Sequence, residues 1–289
     1  SWFIVVASRP PSFKGGSRGG LACKGPEDHS SGTRGDAQVH KLNRTFPKSS
    51  NKVSVMGKRQ GYGQFCPISR ASELLANRWT PLVVRELYFG STRFAELRRG
   101  LPRMSSALLA QRLNELEHAG IVIAEPADTG AGHFYRLTEA GRALFPVLES
   151  MGRWAQTHSR DDLTRAENLD PDLLMWNIRR RVSDDSMPED SCFAVSFHFL
   201  GVPASRSYFW LLFRDGETEV CLRDPGYKIA LAVTSHIRTL TRVWLGHLKL
   251  EAAIRKRELL LEGDRRHVLA FPRWFPVSLL AASDVGDAR

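Results

Sequence analysis

The chain has 289 residues, 42% of them hydrophobic, with four cysteines and a formal net charge of +10. That size and apolar content suit two ordinary globular domains. They exclude a small disulfide-stapled scaffold, and Cys23, Cys66, Cys192 and Cys221 show no CxxC or metal-ligand spacing. No metal or cofactor is expected, and a reducing cytoplasm is the default location. No apolar run approaches the roughly 18 residues a membrane span requires, and Ser1–Ala7 lacks a preceding basic segment, so it is a poor signal peptide.

Residues 1–57 are rich in Gly, Ser, Lys, Arg and Pro without a persistent apolar period, which predicts a disordered basic tail. Residues 1–60 hold 11 Lys+Arg against 3 Asp+Glu, a net of +8, so the remainder of the chain carries only +2. The first methionine is Met56, and translation is expected to start there, making the upstream stretch a non-native extension. The alternative is a basic arm with non-specific phosphate affinity.

A first domain is predicted over 61–158. Ile68, Leu74 and Leu75 suit a short helix. Thr80 is a candidate N-cap with Pro81 in the first turn, and Leu82, Val83, Leu87 and Tyr88 give an apolar face that Gly90 ends. Arg93–Arg99 reads as a short helix with Phe94 and Leu97 inward, broken by Gly100-Leu101-Pro102. Ser105 can cap the next helix, where Leu109, Leu113 and Leu116 fall at i, i+4 and i+7. Ile121–Glu125 and Phe134–Leu137 read as strands around a turn at Asp128–Gly132, forming a wing. A last helix is predicted from Thr138 to about His158, with Leu144, Leu148, Met151 and Trp154 as its apolar stripe.

Residues 159–170 read as a polar linker, and 171–276 as a second, small α+β sheet domain. Its predicted order is a helix at Leu173–Arg181, then strands at Cys192–Phe199, Tyr208–Phe213, Glu217–Arg223 and Ile229–Ser235. Asp215-Gly216 marks a hairpin turn between the second and third strands. Helices at Ile237–Leu248 and Leu250–Arg257, a strand at Leu259–Glu262 and a helix at Arg265–Trp274 follow. Residues 277–289 are expected to form a flexible tail. The predicted fold class is therefore α+β, a winged helix-turn-helix followed by a sheet domain.

Two short helices, a turn and a strand hairpin are the layout of a DNA-reading headpiece. A recognition helix needs one apolar face for the core and one small or polar face for the major groove. Leu109, Leu113 and Leu116 supply the first; Ser106, Ala107, Ala110, Gln111 and Asn114 supply the second and are the candidate base contacts. Gln and Asn amides can pair bidentately with adenine edges. Candidate phosphate contacts are Arg93, Arg98, Arg99, Arg103 and Arg112, with His133 and Arg136 at the wing. Every basic residue of 61–158 other than histidine is Arg, which favours bidentate phosphate contacts. The bland alternative is a helical domain with a solvated arginine face, since the net charge over 61–158 is only +2.

At these residues the sequence resembles the HxlR-type winged helix-turn-helix transcriptional regulators. The resemblance is carried by Cys66-Pro67-Ile68, by Arg78 to Leu87, by Arg93 to Arg99, by Leu101 to Ser105, by Gln111-Arg112-Leu113 and by Leu137 to Gly141. Asn77 and Arg103 depart from the family, which usually has Gly at both places. The resemblance implies a homodimer on double-stranded, pseudo-palindromic operator DNA, with terminal helices as the dimer contact. It also implies a possible oxidant-sensing role for Cys66, against the alternative of a structural cysteine.

In the second domain, aromatic residues are dense. Phe197, Phe199, Phe209, Trp210 and Trp244 are the candidates for an apolar ligand pocket between sheet and helices, the alternative being ordinary core. Leu240 to His247 and Leu261 to Asp264 look similar to sterol carrier protein-like domains, which implies an apolar small-molecule effector. His198, His236, His247 and His267 are scattered, with no GxSxG, HExxH or P-loop pattern near them, so no enzyme is expected. The rival reading is a lipid- or apolar-ligand-binding module whose winged helix makes protein contacts.

Overall fold

The structure is a computed structural model that describes residues 61–127, 132–182, 192–214 and 216–281. The expected basic tail at 1–57, the turn at Asp128–Gly132 apart from Gly132, Asp215 of the hairpin turn, and residues 282–289 lie outside the described residues.

Helix α1 (Pro67–Leu75) starts at Pro67, with Cys66 in the N-cap position. Proline suits the first turn because its missing N–H would have no helical partner there. The Asn77 side-chain amide donates to the carbonyls of Glu73 (2.9 Å) and Leu74 (3.2 Å), so Asn closes α1 by covering its last carbonyls.

Helix α2 (Thr80–Tyr88) begins at its expected cap, one residue earlier than predicted. Trp79, not Thr80, is the N-cap, in the left-handed region at φ 79°. A bulky residue in that conformation costs about 1–2 kcal/mol, which the packing of Trp79 against the first core offsets. The buried face of α2 is Thr80, Val83, Val84, Glu86 and Leu87; Leu82 and Tyr88, expected inward, are exposed.

Helix α3 (Phe94–Gly100) and helix α4 (Ser106–His118) follow. Glu96 Oε2 accepts from the Arg93 N–H at 3.0 Å, and Ser105 Oγ accepts from the Leu108 N–H at 3.3 Å, so both helices are capped from the expected turns. Strands β1 (Val122–Pro126) and β2 (His133–Leu137) pair antiparallel as the wing. The Tyr135 N–H donates to the Thr92 carbonyl at 2.8 Å, tying the wing to the entrance of α3.

The predicted last helix is two helices, α5 (Glu139–Arg142) and α6 (Phe145–His158). Pro146 lies in the first turn of α6, where it cannot supply the N–H that would continue a single helix. Val83, Val84, Leu97, Leu109, Leu113, Leu116 and Leu148 lie in the first core. This is a winged helix-turn-helix.

Residues 159–170 hold two 3-10 turns, Asp162–Thr164 and Ala166–Asn168. Helix α7 (Pro171–Arg179) is capped by Asp170, whose Oδ1 accepts from the N–H groups of Asp172 (3.1 Å) and Leu173 (3.2 Å). Strands β3 (Cys192–Leu200), β4 (Tyr208–Arg214), β5 (Glu217–Cys221), β6 (Ile229–His236) and β7 (Leu259–Gly263) form one sheet in the order β5-β4-β3-β6-β7. The β3–β6 pair is parallel and the other pairs are antiparallel. Helices α8 (Ile237–Trp244), α9 (Leu250–Arg255) and α10 (Arg265–Trp274) complete the chain order. Helix α8 stops four residues before its expected end, and Gly246 turns the chain at φ 73°, a conformation glycine adopts without a Cβ penalty.

The second core forms where period-2 strand faces meet these helices. Phe193, Val195, Phe197 and Phe199 of β3 point to one side, beside Phe209, Leu211 and Phe213 of β4. Residues 277–281, expected to open a flexible tail, are held in place: the Ser278 N–H donates to the Trp244 carbonyl (2.8 Å) and Gln156 Nε2 donates to the Leu280 carbonyl (2.7 Å).

Candidate nucleic-acid interface

Helix α4 divides its residues cleanly. Leu109, Leu113 and Leu116 are buried, whereas Ser106, Ala107, Ala110, Gln111 and Asn114 are all exposed. The exposed set carries short side chains and two amides, so a flat polar ligand surface can approach the helix backbone closely. The Gln111 amide donates to Glu115 Oε1 at 3.0 Å along the helix, a contact open to water that a base edge can replace.

Of the expected phosphate contacts, Arg93, Arg98, Arg99, Arg103, His133 and Arg136 are exposed. Arg112 is not: it is 8% exposed and paired with Glu115, because it lies three residues after Leu109 and four before Leu116 and shares their buried face. It is not placed to meet a phosphate. Three of the other arginines are held by neighbours. Arg93 lies over the Phe134 ring at 4.1 Å, Arg136 faces Glu125 at 3.5 Å across the wing, and Arg103 donates to the Glu167 carbonyl at 2.7 Å. These side chains are oriented in advance, which lowers the entropy lost when they meet an anion.

The stripe on α6 is split. Leu148 is buried and Leu144 partly buried, but Met151 and Trp154 are exposed, Trp154 at 61%, beside exposed Val147. Cys66 is half-buried at the head of α1. In the same segment, Phe65 and Ile68 are exposed apolar residues.

The expected pocket between sheet and helices is not open. Phe197, Phe199 and Phe209 are fully packed in the second core. Trp210 has the opposite strand parity to Phe209 and stands on the other face of the sheet, beside Tyr208. Trp244 alone of the five candidates lines a large cavity, and that cavity is shared with α2, α6 and α7.

A buried ion cluster beside this cavity had not been anticipated. Glu86 is 0% exposed on the inner face of α2. Arg85 Nη2 donates to its Oε1 at 2.7 Å, and Arg180 Nη1 donates to its Oε2 at 2.9 Å. Burial pulls the Arg180 guanidinium below its ordinary range, against the opposing pull of Glu86. A Cβ on Gly100 would lie 1.8 Å from Glu86 Oε2, so glycine is what lets α3 close over the carboxylate. The available signal was Glu86 itself, a carboxylate three residues after Val83 on an apolar helix face. Its partner is 94 positions away and leaves no local pattern.

A second polar contact joins α6 to the turn after α8. His247 Nε2 lies 2.5 Å from Gln156 Oε1, and His247 is 6% exposed. Burial, with Arg160 and Arg242 nearby, lowers its pKa to about 4. Among the described residues no group of His, Cys, Asp and Glu is placed to hold a metal, and no helix is long and apolar enough to cross a membrane.

Residues 74–162 match the family described as HxlR-like helix-turn-helix. The HTH-type transcriptional regulator YvaP of Bacillus subtilis is 38% identical over 94 residues, covering 32% of this chain and 87% of YvaP. The HTH-type transcriptional regulator YodB of the same organism is 39% identical over 92 residues, covering 31% of this chain and 82% of YodB. The solved reduced form of YodB has 36% sequence identity and a TM-score of 0.30, covering 33% of this chain and 95% of that chain.

Proposed function

Because the chain belongs to the HxlR-like helix-turn-helix transcriptional regulators, we propose that it is a homodimeric, sequence-specific DNA-binding regulator acting on a pseudo-palindromic operator. The observation that carries this is the division of α4 into a leucine face inside and a short, amide-bearing face outside. In this reading Ser106, Ala107, Ala110, Gln111 and Asn114 meet base edges. Arg93, Arg98, Arg99, Arg103, His133 and Arg136 hold phosphates. The exposed apolar residues Val147, Met151 and Trp154 of α6, with Phe65 and Ile68, become the dimer contact, which would remove their apolar surface from water.

We assign 61–158 to the DNA-binding domain and 171–276 to an effector domain, in keeping with the resemblance of the latter to sterol carrier protein-like domains. An apolar ligand is one proposed input and oxidation of Cys66 the other. Cys66 is only half-buried at the head of α1, so its sulfur is open to a small oxidant. Dimedone labelling after peroxide treatment, with an unlabelled Cys66 and unchanged DNA affinity as the adverse result, tests the second input.

The central test is an operator selected from genomic fragments and assayed by gel shift. Gln111→Ala and Asn114→Ala should each remove about 1–3 kcal/mol of discrimination while leaving non-specific binding intact. No sequence preference in the unaltered protein would instead favour a ligand-binding module whose winged helix contacts proteins.

A further inference from the structure

A cavity of about 690 Å3 lies between the winged helix and the sheet domain, within the size range of small-molecule sites. Phe89 closes it from the end of α2, Ala155 from α6, Leu174 from α7 and Trp244 from α8, so its walls are largely apolar. Its charged lining is unbalanced. Among the described residues, Arg85, Arg180 and Arg181 face it against one carboxylate, Asp170, and Asp170 is already committed to Arg206 (2.8 Å) and to capping α7. Glu86 behind the wall is a single counter-ion for both Arg85 and Arg180. Arg181 is anchored by its Nε, which donates to the Val277 carbonyl at 3.1 Å. An apolar chamber with surplus guanidinium at one end is suited to a molecule with an apolar body and one anionic group.

We propose that this cavity is the effector site and that it takes an amphipathic organic anion, a carboxylate or sulfonate on a compact apolar body. The body rests on Phe89, Leu174 and Trp244, and the anion meets Arg181 and Arg180.

Helix α7 makes the site regulatory. Leu174 and Arg180 face the cavity, while Trp176 packs against Arg99 of α3, with the guanidinium 5.6 Å from the ring. Arg180 also holds Glu86 of α2. An anion that shares Arg180 with Glu86 weakens the hold of α7 on α2 and α3, the elements on which α4 is seated. This consequence rests on the DNA-binding reading above; occupation of the cavity does not.

The full chain should be titrated with 8-anilinonaphthalene-1-sulfonate and with N-phenyl-1-naphthylamine, the same rings without the sulfonate. One saturable sulfonate site per chain is expected, binding about tenfold or more tightly than the neutral probe. Arg181→Gln should cut sulfonate affinity about tenfold and leave the neutral probe unchanged. Ala155→Trp should abolish both by filling the space, and Thr241→Phe fills it from α8 if the first variant does not fold. Absence of saturable binding, equal affinity for the two probes, no effect of Arg181→Gln, or binding that survives a folded filling variant would each overturn the proposal. At saturating sulfonate the operator Kd should shift about fivefold or more, and an unshifted Kd overturns the coupling. Failure of the ligand-free chain to bind any operator refutes the DNA-binding reading instead, and the probe titrations then decide the site by themselves.

Discussion

Replacing Glu86 by Gln is the sharpest perturbation of this fold. The carboxylate is fully buried between two guanidiniums, at 2.7 Å from Arg85 and 2.9 Å from Arg180. Gln keeps the volume and one acceptor oxygen but removes the charge. Arg85 is partly exposed and can turn to water, whereas the Arg180 side chain is 10% exposed and cannot. Removing one partner of a buried pair costs about 3–5 kcal/mol, and the retreat of Arg85 places Glu86→Gln near the lower figure. Arg180→Met leaves Glu86 paired with Arg85, so it should cost about 1.5–3 kcal/mol, the worth of a charged hydrogen bond. In the double variant neither buried charge is orphaned. The double should therefore be more stable than the sum of the singles predicts, by about 2 kcal/mol or more. Urea unfolding followed by circular dichroism measures all four proteins. Additivity within about 0.5 kcal/mol, or a Glu86→Gln cost below about 1 kcal/mol, would refute the reasoning, because the carboxylate would then not be the counter-charge of Arg180.

Three further outcomes are expected. Gly100→Ala should destabilise by about 1–3 kcal/mol, since its Cβ would lie 1.8 Å from Glu86 Oε2; a neutral result in urea unfolding would mean that α3 shifts freely. His247 is held neutral in the fold, with a pKa of about 4 against 6.5 for the unfolded chain. The unfolded chain therefore takes up the proton first, and stability present above pH 6.5 is lost as the pH falls toward 4, by an amount on the order of 3 kcal/mol if the full shift is expressed. Thermal midpoints against pH should show this slope in the unaltered protein and a shallower one in His247→Asn, and equal slopes would remove His247 as the cause. Trp154→Asp should convert the proposed dimer to monomer in sedimentation with an unchanged circular dichroism spectrum, because Trp154 is 61% exposed and outside both cores; an intact dimer would move the interface elsewhere.

The helices and strands of the winged helix were legible because their signals are local. Ser105 caps α4, Leu109, Leu113 and Leu116 repeat on one face, and the wing strands flank a turn. The same holds for β3 to β7, whose expected ends agree with the observed ones to within two residues. The polar face of α4 follows from that periodicity, since placing the leucines inward places Gln111 and Asn114 outward.

Tertiary packing decided the rest. Arg112 looks like a surface charge in a sequence window, Glu86 interrupts an apolar helix face, and only the meeting of helices buries them. Strand periodicity places Phe197, Phe199 and Phe209 on one face, but whether they enclose space or fill it depends on how closely the helices approach the sheet. The cavity exists because α2, α6, residues 163–170, α7, α8 and residues 278–280 converge, six segments with no common sequence signal. Periodicity constrains which side of an element is apolar, over a few residues at a time. Which apolar sides face one another, and which charge meets which across 94 positions, is settled only when the chain closes on itself.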